Sequence, residues 1–320
     1  MKNWKRVLSI LLVACLVFSL GACKQTTTEP KKEEQKEEGI TPLLYKVTDE
    51  QGNVVWMFGS IHVGNEEFYP LPKYVQDAYE GADSLAVECD IMAFEKSMSA
   101  QTEALQTLLY LDGTTIKDHI SQELYESAVN ILEENDVYSE YLDYYYPSLW
   151  SNFITSAASE KVGADAQLGI DRYLLKKAKN NEKPIVEIES AKAQYSMLAG
   201  FTEPLQLLQL EMAVEEYQEL ETFETELKEL MDIWAKGDEK AFAKLLAKET
   251  AFENEEEKAL YEEYYNAMYT SRNIAMADFV VGKLAAKEEV FVCVGAAHVV
   301  GEGGMVELLR EKGYTVEVVK

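Results

Sequence analysis

The sequence predicts an α/β fold: a mixed central sheet flanked by helices, with a largely helical insertion. Three features predict it. Short apolar, β-prone runs recur along the chain, and longer stretches at helical spacing separate them. Two of the runs, far apart in sequence, are each followed at once by Gly-x-x-His. Apolar strands alternating with helices imply a sheet with much parallel pairing.

Leu43 to Thr48 and Val54 to Phe58 are the first two runs, and Asp49-Glu50-Gln51-Gly52-Asn53 between them is turn chemistry, so they form a hairpin. Leu71 to Tyr79 is a short helix and Ser84 to Glu88 a buried strand. Helices follow over Gln122 to Glu134 and over the Tyr- and Trp-rich Tyr141 to Lys161. Gly169 to Asn180 leads into a strand over Pro184 to Ile188. Pro204 to Lys236, Glu239 to Lys248 and Glu255 to Ala286 form a Glu-rich helical block, read as a solvated face over a packed one that covers the sheet and walls a cleft. Glu289 to Val294 is the fifth strand; Met305 to Lys312 is a helix stopped by Gly313, before the last strand, Thr315 to Val319.

The first 39 residues lie outside this pattern. Lys2, Lys5 and Arg6 precede an apolar run, Val7 to Leu20, too short and wrongly flanked for a membrane span. It ends in Leu20-Gly21-Ala22-Cys23, which resembles the lipobox of bacterial lipoproteins. Residues 1–22 are thus expected to be a cleaved signal peptide, with Cys23 as the acylated N-terminus. Residues 23–39, charged and without apolar periodicity, are a tether, and residues 40–320 the folded domain. The expected location is the extracytoplasmic face of the cell membrane, with the lipid as the only membrane contact.

A formal charge of −27 repels nucleic acid and argues against DNA or RNA as a partner. Cys89 and Cys293 lie in apolar runs and read as buried free thiols, with a single disulfide as the alternative. The absence of a CxxC pair excludes a structural zinc knot.

The chain has three histidines. His62 follows Gly59 and His298 follows Gly295, each glycine directly after a strand-like run. In α/β sheets ligands collect beyond the carboxyl ends of the strands, so adjacent strands would bring both imidazoles to one divalent ion. Two unrelated turn histidines are the plainer alternative. The third, His119, reads as an ordinary surface residue. Glu88 ends an apolar strand, where a carboxylate is costly without a metal ion or an arginine beside it. Glu187 and Glu189 close another strand, and at least one of them faces the cleft. Arg272 is either a surface ion pair or a residue that holds a carboxylate or a developing oxyanion. No Gly-x-Ser-x-Gly elbow surrounds Ser60, and Gly301-Glu302-Gly303-Gly304 lacks the P-loop Lys and Thr.

These residues resemble the TraB/GumN (PrgY, TIKI-like) family, which has two Gly-x-x-His motifs with a glutamate and an arginine between them: here Gly59 to His62, Gly295 to His298, Glu88 and Arg272. Gly169-Ile170-Asp171, Lys183-Pro184 and Ile188-Glu189-Ser190 with Gln194 add to the likeness, which runs from about Leu43 to Val319. The resemblance implies an erythromycin-esterase/ChaN-like fold and metal-dependent hydrolysis of peptides or protein N-termini. His62, His298 and Glu88 would hold the cation, with manganese or cobalt favoured over zinc in an oxygen-rich site. Glu189 or Glu88 would move the proton, and Arg272 would stabilise the oxyanion or brace Glu88. The competing expectation is a lipoprotein without chemistry that binds a peptide or pheromone, for which Tyr144, Tyr145, Tyr146 and Trp150 offer a surface, or that captures metal or haem.

Overall fold

The computed structural model describes residues 39–247 and 252–320. The expected signal peptide, Cys23 and nearly all of the tether lie outside the described residues. Six strands form one sheet: β1 (Leu44–Thr48), β2 (Val54–Ser60), β3 (Ser84–Val87), β4 (Ile185–Glu187), β5 (Val290–Gly295) and β6 (Thr315–Val319), in spatial order β4-β3-β5-β2-β1-β6. β2, β5, β3 and β4 run parallel, while β1 is antiparallel to both β2 and β6. The sheet is mixed, as expected.

Residue type explains each place. β5 is apolar throughout, β3 is apolar after Ser84, and every residue in both is buried, as a strand covered on both faces requires. β6, at an edge, is largely exposed. The hairpin turn is built by Asp49, whose Oδ1 accepts the backbone N–H of Gln51 and of Asn53 at 2.9 Å each, while Gly52 takes φ 85°.

Between the first and last strands run α1 (Lys73–Gly81), α2 (Ile91–Phe94), α3 (Met98–Leu105), α4 (Gln122–Glu134), α5 (Pro147–Lys161), α6 (Ile170–Asn180), α7 (Ala191–Ala199), α8 (Glu203–Gln218), α9 (Leu220–Lys236), α10 (Glu239–Leu246), α11 (Glu255–Tyr265) and α12 (Ser271–Ala286). After β5 come α13 (Ala296–Val299) and α14 (Met305–Glu311). The expected helix over Tyr141 to Lys161 begins only at Pro147, because proline is suited to the first helical turn; a 3-10 segment, Glu140–Tyr144, precedes it. The stretch Pro204 to Lys236 divides at Glu219, and a π-helical segment, Asn266–Thr270, links α11 to α12 just before Arg272.

The Glu-rich block is not uniformly a cover. α9 is: Phe223, Leu227, Leu230, Met231 and Trp234 bury one face. α8 is instead an interior helix, packed by α4, α5, α9 and α11, and it buries Gln206, Gln209 and Glu216 as well as Leu205, Leu208 and Leu210. α9 is also tied to the first motif. The Trp234 indole donates to the Gly59 carbonyl at 2.8 Å, and its ring lies 5.0 Å from that of Phe68. Among the described residues no helix is long and apolar enough to cross a membrane.

Candidate functional site

Four neighbouring parallel strands deliver four side chains at one rim. Register pairs Ser60 with Gly295, Val87 with Cys293, and Val87 with Glu187. His62 lies two residues beyond the end of β2, Glu88 one beyond β3 and Glu189 two beyond β4, while His298 sits on α13, the single turn that follows β5. Gly59 makes the two motifs compatible. A Cβ there would stand 3.0 Å from the Ala296 Cα and 3.1 Å from its Cβ, so only glycine lets α13 settle against β2. Gly295 contributes its N–H, which donates to Glu88 Oε1 at 2.8 Å.

Arg272, from α12, is buried and clamps two carboxylates. Its Nε donates to Glu189 Oε1 at 2.8 Å; Nη2 donates to Glu189 Oε2 at 2.8 Å and to Glu88 Oε2 at 2.6 Å. Gln194 on α7 spans the same pair, donating to Glu88 Oε2 at 3.2 Å and to Glu189 Oε2 at 3.1 Å. Of the two acids closing β4, Glu189 is therefore the one that enters the site. Glu187 is exposed and accepts the Asp90 N–H at 2.8 Å.

Each imidazole is held through Nδ1. His62 Nδ1 lies 2.7 Å from Asp171 Oδ2, and His298 Nδ1 lies 2.7 Å from Asn273 Oδ1. Asp171 is braced in turn, its Oδ1 accepting from Ser60 Oγ at 2.7 Å. The Nε2 atoms of His62 and His298 are buried and have no hydrogen-bond partner among the described residues. His298 Nε2 is 3.8 Å from Glu88 Oε1, too far for a hydrogen bond. Two donors about 2.1 Å from a shared ion stand no more than about 4.2 Å apart, so that gap suits a common cation. Among the described residues no three His, Cys, Asp or Glu side chains form a ready metal cage.

Burial and charge separate the titrations. Burial lowers the His62 pKa, but the adjacent Asp171 carboxylate outweighs it and raises the group to about 9. Burial and Arg272 hold His298 down to about 3. Burial would raise Glu88, yet Arg272 and both histidines lower it to about 2, so it stays ionised. Both cysteines are free and buried, and burial pushes each thiol well above its ordinary value.

Two sequence expectations are corrected. His119 is not an ordinary surface residue: it stacks on Tyr110 with ring centroids 4.4 Å apart, and its Nε2 lies 2.9 Å from Thr114 Oγ1. Trp150 is fully buried, with its indole donating to the Leu142 carbonyl, so it forms no surface with Tyr144, Tyr145 and Tyr146. Residue patterns alone missed Asn273, and Asp171 and Gln194 stood out only through the family likeness. Each is a buried polar side chain on an otherwise packed helix face, a position that requires a partner.

The model of the TraB/PrgY/gumN family matches residues 43–318 of this chain. Among curated proteins, the chain is similar to the uncharacterized protein YbaP of Escherichia coli (strain K12), at 28% identity over 266 residues that cover 79% of this chain and 87% of that protein. YbaP of Shigella flexneri matches with the same identity and coverage. No solved structure matches.

Proposed function

The chain belongs to the TraB/PrgY/gumN family, and from that premise we propose that it is a metal-dependent hydrolase of peptides or protein N-termini, anchored by a lipid on Cys23 at the outer face of the cell membrane. The observation that carries this reading is the pair of buried, unpartnered Nε2 atoms on His62 and His298, one of them 3.8 Å from Glu88. Orphaned buried polar atoms are uncommon and want a ligand. Charge supports the same reading. Asp171, Glu88 and Glu189 set three carboxylates against the Arg272 guanidinium and the His62 imidazolium, a net anionic cluster that favours a cation, whose binding would displace the His62 proton.

His62, His298 and Glu88 would hold the cation; two imidazoles and a carboxylate also suit zinc, and the preference for manganese or cobalt rests on the family likeness. When bound, such an ion acts as a Lewis acid on the scissile carbonyl and makes a nearby water nucleophilic at neutral pH. The remaining work falls to side chains. Glu88, held anionic near pKa 2, serves as a ligand and not as a base. Glu189 is the less buried carboxylate, 14% exposed against 5%, and would take the water proton and return it to the leaving amine. The contacts that Arg272 makes with Glu88, Glu189 and the Met268 carbonyl favour bracing over direct contact with an oxyanion.

The test is digestion of a peptide library by the purified protein with manganese, read by mass spectrometry. Cleavage that disappears in both His62→Ala and His298→Ala is expected. Peptides that stay intact but bound would replace this reading with the non-catalytic peptide-binding one.

A further inference from the structure

The hydrogen bonds behind His298 admit one direction only. Gly303 lies in the glycine-rich loop after the second Gly-x-x-His motif, at φ 69°, a left-handed conformation that favours glycine. Its carbonyl oxygen accepts and cannot donate. Asn273 Nδ2 lies 2.9 Å from that oxygen, and the nitrogen is the only end of the amide able to donate. Asn273 therefore turns Oδ1 toward His298, 2.7 Å from Nδ1. Oδ1 can only accept, so the ring hydrogen sits on Nδ1 and the lone pair on Nε2.

The first motif repeats the arrangement with a carboxylate. Asp171 Oδ1 accepts from Ser60 Oγ at 2.7 Å and lies 3.8 Å from the Cys293 thiol, while Oδ2 is 2.7 Å from His62 Nδ1. An ionised carboxylate is acceptor-only, so it faces Nδ1 as a charged partner, although its Oδ2 takes no hydrogen bond of good geometry from the ring.

We infer that Asn273, oriented by the Gly303 carbonyl, is a positioning residue that locks His298 with hydrogen on Nδ1 and reserves its Nε2 for the ligand, while Asp171, steadied by Ser60, holds His62 from its Nδ1 side as a charged partner. Their service to a cation rests on the hydrolase reading above; the lock on His298 does not. Partners of this kind fix ring orientation and raise the basicity of a ligating histidine. The two partners differ in charge: the Asp171 carboxylate favours a protonated His62, whereas the Asn273 amide leaves His298 neutral.

With only three histidines in the chain, the tautomer is directly readable. Nitrogen-15 correlation spectra of the ion-free protein at neutral pH should show His298 protonated at Nδ1 and bare at Nε2. Asn273→Leu should lose that pattern, and Asn273→Asp, which keeps an acceptor in place, should restore it. A general packing defect would not discriminate between these two variants. Titration with manganese alone should show about 10- to 100-fold weaker binding in Asn273→Leu and in Asp171→Asn, with most of the affinity kept in Asn273→Asp. A wild-type His298 carrying hydrogen on Nε2, or an Asn273→Leu protein with unchanged tautomer and affinity, would overturn the inference. Correct tautomers without any manganese binding would support the lock on His298 and count against the hydrolase reading alone.

Discussion

Replacing Arg272 by methionine removes the one cation that Glu88 and Glu189 share and leaves a side chain of similar length. The variant loses charge-assisted hydrogen bonds of 2.8, 2.8 and 2.6 Å to the two carboxylates. Breaking a buried ion pair from one side costs about 3–5 kcal/mol. Protonation limits the damage. Glu88 can escape its unpaired charge by binding a proton, and from its ordinary value of 4.5 that costs about 3.4 kcal/mol at pH 7, at about 1.4 kcal/mol per pH unit. The expected loss is therefore about 3 kcal/mol at pH 7, shrinking by about 1.4 kcal/mol for each unit of acidification toward pH 5. Urea unfolding followed by circular dichroism at pH 7 and pH 5.5 measures both quantities. Adding Glu88→Gln to Arg272→Met should recover part of the loss, and the double-mutant cycle gives the coupling. A loss below about 1 kcal/mol at pH 7, or one that does not change with pH, would refute the view that Arg272 exists to hold two buried charges.

Other perturbations read other parts of the site. Gly59→Ala places a methyl group 3.0 Å from the Ala296 Cα and should cost about 1–3 kcal/mol, seen as a lower melting temperature; an unchanged melt would mean that α13 moves aside freely. Gly169→Ala sets a Cβ 2.3 Å from the His62 carbonyl oxygen and should weaken manganese uptake along with stability, both measurable by calorimetry. His298 is held neutral, with a folded pKa near 3 against 6.5, so its share of stability is present above pH 6.5 and is lost as pH falls toward 3, at up to about 1.4 kcal/mol per unit. Ion-free His298→Gln should show a shallower acid limb in unfolding experiments over that window.

The sheet was legible because its strands are short apolar runs bounded by turn residues. Val290 to Gly295 is buried on both faces, and its composition announces this. The site was legible to the extent that it uses residues that are rare or costly in apolar surroundings: two of three histidines, and Glu88 at a strand end. What stayed hidden is polar and helical. Asn273 sits in Ser271-Arg272-Asn273, a sequence that looks solvated, yet π-helical backbone before it and α13 beside it bury the side chain. α8 was expected to expose its glutamates; packing from four helices overrides that pattern and buries Glu216. α2 and α3 went unread because helices of four and eight residues are too short to carry a clear period. The likeness to an erythromycin-esterase/ChaN fold stands as an expectation, since the mixed six-stranded sheet is common to many α/β architectures.

The most direct test is calorimetric titration of the ion-free protein with manganese, comparing wild type with His62→Ala, His298→Ala and the double variant. Wild-type protein should take up one ion, and each single variant should lose most of that affinity, because the Nε2 atoms of both imidazoles would serve the same cation. Uptake with the same stoichiometry and affinity in the double variant would show that the imidazoles at this rim hold no ion.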